Sequence, residues 1–258
     1  MKYQHLVLNI ENKIAWIKFN RPDQLNAMNA LMMDEIINAL NFVDKADSNE
    51  IGVVVITGNG KAFMAGADIK EYAQQTQEQF DDFQLKGHTL YAAIENNSKI
   101  VIAAINGYAF GGGFEIALAC DMIVACEGAK MGLPEILLNL IPGGGGSLRL
   151  TKKIGVNLTN EIVMTGRTLV AEEMHLRGVI NYIFPREQFI EKTTGFAQTF
   201  AAQLPDRLLT IKQLTQEAAN GITRNLQVKE AAALGNFYRS KEGQEKIQAF
   251  YNKSIEKK

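Results

Sequence analysis

Apolar and polar positions along this chain follow two rhythms, one of strands and one of helices. Near the start, "HLVLNI" and "IAWIKFN" are β-prone runs joined by the polar "ENK", a pattern that predicts a hairpin. The turn-rich "NRPDQLNAMN" leads into "ALMMDEIINALNFVDKAD", whose apolar residues recur at helical spacing. Next comes "IGVVVITG", a strand that is apolar almost throughout. The tight turn "GNGKAF" follows it, and "MAGADIKEYAQQTQEQFDDFQLKGHTLYAAIEN" reads as mostly helical. Three more strands extend the series: "KIVIAAIN" before a triple-glycine helix, "DMIVAC" before "LPEILLNL", and "GVINYIFP" before a helical tail.

Strands that carry no polar face must be covered on both sides, and a glycine turn and helix after each strand supply that cover. The pattern therefore predicts an α/β architecture, a loose spiral of units with no fixed period. From about Pro205 the strand signal disappears and the chain is helical with few breaks. This tail is a candidate separate lobe. Its amphipathic helices suit either closure over the core or contact with another subunit, and the sequence leaves both open.

Composition narrows the function classes. With 258 residues, 47% hydrophobic and 21% charged, the chain can form one large domain or a domain with an appendage. A formal net charge of -1 gives no global field toward nucleic acid or an anionic membrane. No apolar run approaches the roughly 18 residues of a membrane span, and "MKYQHLVLNIENK" lacks the apolar core of a signal peptide. The expectation is a soluble, cytoplasmic protein without a membrane partner. Cys120 and Cys126 have no metal-site spacing and read as small buried residues. His5, His88 and His175 share no local spacing, so neither a metal site nor a nucleophilic triad is indicated.

Two carboxylates stand out. Glu115, in "NGYAFGGGFEIALACD", falls in the first turn of the helix that Gly111, Gly112 and Gly113 open. Unpaired amides and the positive end of the helix dipole meet there, which suits an anion or a developing oxyanion. Glutamate also favours first turns for that reason alone, but three consecutive glycines indicate close backbone approach as well. Glu135, in "GLPEILLNLIPGGGG", follows Pro134 and leads an apolar run in which a charge has no packing value. Two isolated carboxylates in apolar settings can have their pKa values pushed apart, as an acid and base pair requires. A third segment, "FMAGADIKEY", offers small residues around Ala67, whose chemistry would come from backbone amides. The "GGGG" at 143–146 lacks the setting of a phosphate or dinucleotide loop and reads as a flexible or close-packed turn without a catalytic role.

These blocks resemble, in order, the signatures of the enoyl-CoA hydratase/isomerase (crotonase) family: "FMAGADIKEY", "IAAINGYAFGGGFEIALACDMIVA", "GLPEILLNLIPGGGGSLRL" and "GVINYIFP". The likeness runs from "FNRPDQLNAM" to "QAFYNK". It implies a spiral of ββα units over residues 1–200 that binds acyl-CoA and performs catalysis. Residues 201–258 would then be a helical oligomerisation region that builds homotrimers, commonly paired into hexamers. The resemblance also implies an acyl-CoA thioester substrate, with CoA entering as part of the substrate and no separate cofactor or metal. The amides of Ala67 and Gly112 would hold the thioester oxygen; losing one such donor typically costs about 100- to 1000-fold in rate. Glu115 would activate water and Glu135 would supply the α-proton, giving syn hydration of a trans-2-enoyl-CoA. Ala27, Ala65, Asp68, Ile69 and Lys70 would surround the nucleotide and pantetheine, and Lys253 would reach a neighbouring subunit's CoA phosphates. Departures from the family pattern are Lys246, where many relatives have glycine, and Gly144, where alanine is more usual.

Two other readings compete. An enoyl-CoA isomerase of the same family needs one base, and such relatives often lack the first glutamate. A silent or RNA-binding relative is disfavoured by the two carboxylates and by the acidic segment Asp34, Glu35, Asp44 and Asp47, set against Lys45. The acyl group is open; chain-length choice would rest on the stretch from Tyr72 to Ile94.

Overall fold

A computed structural model describes residues 2–255 of the chain. By internal contacts it divides into two compact units, Met1–Gln203 and Leu204–Lys258.

The first unit opens with the hairpin, β1 (Leu6–Glu11) and β2 (Ile14–Phe19), paired antiparallel from Leu6↔Phe19 to Glu11↔Ile14. Asn12 and Lys13 turn it with positive φ, at 51° and 64°. Helix α1 (Ala30–Lys45) is capped by Asn29, whose side chain accepts the Met32 N–H, and it buries the periodic face Met32, Met33, Ile36, Ala39, Leu40 and Val43. Next are β3 (Val53–Gly58), β4 (Ala62–Met64), α2 (Ile69–Tyr72) and α3 (Gln77–Glu95). The long helix read from "MAGADIKEY" onward is thus broken after one turn. Asp68 caps α2, and Thr76 with Gln79 forms a capping box that restarts the chain as α3.

The spiral continues with β5 (Ile100–Ile105), β6 (Tyr108–Phe110) and α4 (Gly112–Ala119), then β7 (Met122–Cys126) and β8 (Lys130–Gly132). After β8 the chain makes only a four-residue 3-10 turn, Glu135–Leu138, ended by Asn139 at φ 56°. Helices α5 (Gly146–Ile154) and α6 (Val156–Thr165), strand β9 (Leu169–Val170), helix α7 (Ala171–Leu176), strand β10 (Tyr182–Phe184) and helix α8 (Phe189–Ala201) complete the unit.

Two sheets result. The larger has the order β1-β2-β3-β5-β7-β10 and is parallel from β2 onward; the smaller has the order β4-β6-β8-β9. Each turn of the spiral, β3/β4, β5/β6 and β7/β8, gives one strand to each sheet. The smaller sheet's strands have only two or three residues, too short for a period to show in sequence.

Helix α4 packs on strands of both sheets and on α3 and α5, which explains why it is apolar nearly all round. Gly113 makes this possible: a Cβ there would fall 2.1 Å from the Met64 carbonyl oxygen. Glu115 is the carboxylate placed inside this crowded layer, 4% exposed. Such a position is costly for a charge unless hydrogen bonds replace its water.

The second unit contains α9 (Pro205–Ala218), α10 (Arg224–Arg239) and α11 (Lys241–Ile255). Proline at the first position of α9 and the Thr223 cap of α10 mark their starts. Ile211, Ile222, Val228, Leu234, Ile247 and Phe250 are exposed on it.

Candidate active site

The spiral leaves a cavity of ≈ 350 Å³ in the first unit. Its walls bring together segments far apart in sequence: Ala65, Gly66, Ala67 and Ile69 after β4; Gly111, Gly112 and Glu115 at the head of α4; Pro134 and Glu135 after β8; and Gly143 and Gly144 before α5. One stripe of α3, Phe80, Phe83, Gln84, Gly87 and Tyr91, lines the rest of the cavity with Met28, Tyr72 and Phe110.

Glu115 is held by three donors. Its Oε1 accepts the N–H groups of Gly144 and Gly146, each at 2.8 Å, and its Oε2 accepts the hydroxyl of Tyr91 at 3.3 Å. The run at 143–146 is therefore more than a close-packed turn. Its amides solvate a buried carboxylate, and a Cβ on Gly146 would stand 2.9 Å from Glu115 Oε1. Burial pushes Glu115 above the ordinary carboxylate range, while the amides of Gly146 and Gly144, the Tyr91 hydroxyl and the Arg149 charge pull it back.

Glu135 has a different setting. Its Oε2 is buried with no hydrogen-bond partner, and burial first, then the nearby Glu115 charge, push its pKa up to about 7. Glu115 thus has donors from three other residues that favour its charged form, whereas Glu135 is eased only by its own backbone amide and leaves Oε2 without a partner. An oxygen with two N–H donors cannot itself carry a proton toward them, so a proton on Glu115 would have to sit on Oε2, beside the Tyr91 hydroxyl; burial raises both carboxylates.

Ala67 and Gly112 offer backbone. The bridge between Met28 and Ala67 uses the Met28 N–H to the Gly66 carbonyl and the Asp68 N–H to the Met28 carbonyl, both 2.8 Å, and leaves the Ala67 N–H outside it. Gly112 is the first residue of α4, so its N–H has no carbonyl one turn back. Gly111 shapes this corner. Its φ of 49° with ψ of -125° is a conformation for glycine, and a Cβ would lie 3.1 Å from Glu135 Oε1. The three glycines are thus explained in good part by protein neighbours: Glu135, the Met28 methyl beside Gly112, and the Met64 carbonyl beside Gly113.

The remaining expected binding residues divide. Ala65 and Ile69 line the cavity. Ala27 and Asp68 do not; Arg21 joins them, donating to the Ala27 carbonyl and pairing with Asp68 Oδ2 at 2.8 Å. Lys70 is exposed beside Ile69, and Lys253 is exposed on α11 in the second unit. Arg21, Tyr91, Arg149 and the Gly144 and Gly146 amides were not singled out from sequence. Among the described residues, no group of three or more His, Cys, Asp or Glu could hold a metal ion, and no helix is long and apolar enough to cross a membrane.

The chain belongs to the enoyl-CoA hydratase/isomerase family, whose profile matches residues 9–257. A probable enoyl-CoA hydratase of Mycobacterium bovis is 37% identical over 78% of this chain and 77% of its own length. The 2,3-dehydroadipyl-CoA hydratase of Escherichia coli is 34% identical over 83% of this chain and 82% of its own. Among solved structures, an enoyl-CoA hydratase of Bacillus anthracis superposes with a TM-score of 0.91 at 33% identity, covering 97% of both chains. The spiral with its helical C-terminal segment is the crotonase fold.

Proposed function

We propose that the protein adds water, in the syn sense, to a trans-2-enoyl-CoA and releases a 3-hydroxyacyl-CoA. The observation that carries this reading is the contrast between Glu115 and Glu135 on one cavity: one carboxylate solvated by two amides of another loop, the other half-buried with Oε2 reached by no donor. Enoyl-CoA hydratase names among relatives support it.

In the mechanism, the thioester oxygen accepts hydrogen bonds from the Ala67 and Gly112 N–H groups, aided by the α4 dipole. This draws electrons from the double bond and makes C3 electrophilic. Glu115 Oε2 takes a proton from water, the water oxygen bonds to C3, and Glu135 gives its proton to C2. Glu115 ends protonated and Glu135 ionised; exchange with solvent restores both. CoA enters with the substrate, and no further cofactor takes part.

For the CoA portion, Ala65 and Ile69 supply wall, and Lys70 is free in space for a phosphate. Arg21 takes over the role of organising Ala27 and Asp68, so these two act through the turn they brace. The exposed apolar side chains of α9–α11 support assembly of copies into a trimer or hexamer, with Lys253 serving a neighbouring CoA. An RNA role is disfavoured on α1, where Glu35 takes the Gln4 and His5 amides and Asp34 pairs with Lys86.

The test against isomerisation is product analysis. A 2-enoyl-CoA and a 3-enoyl-CoA of equal length are each incubated with the protein and resolved by chromatography. Hydration of the first at the higher kcat/KM is the expected result; conversion of only the second overturns the reading.

A further inference from the structure

Tyr91 is buried in α3, 4% exposed, and burial followed by the Glu115 charge raises its hydroxyl well above the ordinary phenol pKa. It is therefore a fixed O–H donor. The Gly144 and Gly146 amides both go to Oε1 of Glu115, so that oxygen is filled. Oε2 is the oxygen left for water, and among the described residues Tyr91 is its hydrogen-bond donor.

The same ring fixes the loop. A Cβ on Gly144 would stand 2.3 Å from Cε2 of Tyr91 and 2.4 Å from both Cζ and the hydroxyl oxygen. Residue 144 and the phenol occupy one contact, so the amide that holds Oε1 and the hydroxyl that holds Oε2 are set together. Arg149 closes the assembly. Its guanidinium lies 5.3 Å from the Tyr91 ring centroid, donates to the Gly144 carbonyl and grips Glu95 at 2.7 and 2.9 Å. Glu95 is one helical turn beyond Tyr91, so α3 delivers both the phenol and the carboxylate that anchors the guanidinium.

We propose that Tyr91 is a positioning residue for water activation: its hydroxyl aims Glu115 Oε2 at the reacting water and favours the ionised carboxylate, and Gly144 is the partner that admits its ring. This rests on the hydration reading above. The charged and titratable groups around Glu115 are Tyr91 on α3, Arg149 on α5, Glu135 on the 3-10 turn and, further off, Tyr72 on α2.

The experiment compares Tyr91→Phe with wild type and Glu115→Gln in crotonyl-CoA hydration, with kcat, KM and the pH profile of kcat. The phenylalanine keeps the ring and its packing. Loss of a donor to a carboxylate should lower kcat roughly 10- to 100-fold with KM within about threefold. It should also move the acidic limb to higher pH, because the ionised Glu115 loses support. Gly144→Ala should lower kcat more in wild type than in a Tyr91→Ala background, where no ring opposes the methyl. A Tyr91→Phe enzyme with unchanged kcat and pH profile, while Glu115→Gln is inactive, overturns the positioning role and leaves hydration standing. A wild type that does not hydrate crotonyl-CoA or any longer 2-enoyl-CoA removes the hydration reading itself.

Discussion

A Cβ on Gly111 would lie 3.1 Å from Oε1 of Glu135, although the two residues come from different turns of the spiral. The head of α4 and the second carboxylate therefore form one wall, and each limits what the other can be. Gly111 also holds a φ of 49° with ψ of -125°. Gly111→Ala should cost about 1–3 kcal/mol of stability through backbone strain. It should also lower kcat through displacement of Glu135. Urea unfolding and steady-state kinetics on the same preparation check the two effects together.

Glu135 ties stability to pH. In the folded protein it ionises only at about 7, against 4.5 when unshifted, so between these values the native state holds the extra proton. Stability is then present at low pH and falls as pH rises through that window. Glu115, also raised, acts in the same direction. Glu135→Gln removes the ionisation, so its Tm should exceed that of wild type by more at pH 8 than at pH 5. Allowing for the partial exposure of Glu135, the difference is about 1–2 kcal/mol, or roughly 2–4 °C. Calorimetric melts at the two pH values measure it. In activity, the same titration gives kcat a falling limb near pH 7.

Gly87 sits in the middle of α3 on the cavity stripe, where a Cβ would meet only Cε2 of Tyr91, at 3.7 Å. Glycine in a helix interior costs about 0.5–1 kcal/mol relative to alanine. Gly87→Ala should therefore stabilise the fold by about that amount. Gly87→Leu should fill space beside Phe83 and Tyr91, lowering kcat/KM for eight-carbon enoyl-CoA far more than for the four-carbon substrate. A chain-length series with both variants gives the readout.

Much of this was legible because burial leaves a strong mark. The run Ile100 to Ile105 is buried at every position, as an apolar strand covered on both faces must be, and Glu115 stands out as the carboxylate isolated in an apolar stretch at a glycine-opened helix start. The family likeness pointed to Glu115 together with Glu135, and the fold sets both on one cavity. What escaped depends on contacts between distant segments. Tyr91 looks like any apolar position of an amphipathic helix, and its link to Glu115 spans 24 residues. Arg149 and Glu95 are 54 apart. The glycines of 143–146 carry no side chain to advertise that their amides are used, and Arg21 reads as an ordinary loop cation until the fold sets it between Ala27 and Asp68.

In the proposed hydration Glu115 and Glu135 form a working pair, one for the water and one for C2, and neither is dispensable. The most direct test is the loss of enoyl-thioester absorbance from crotonyl-CoA with wild type, Glu115→Gln and Glu135→Gln, all shown to be folded by circular dichroism. Hydration in wild type, with kcat lowered about 10²- to 10⁴-fold in each variant, is the predicted result. A Glu115→Gln enzyme that hydrates crotonyl-CoA within a few-fold of wild type would rule out Glu115 as the base that activates water.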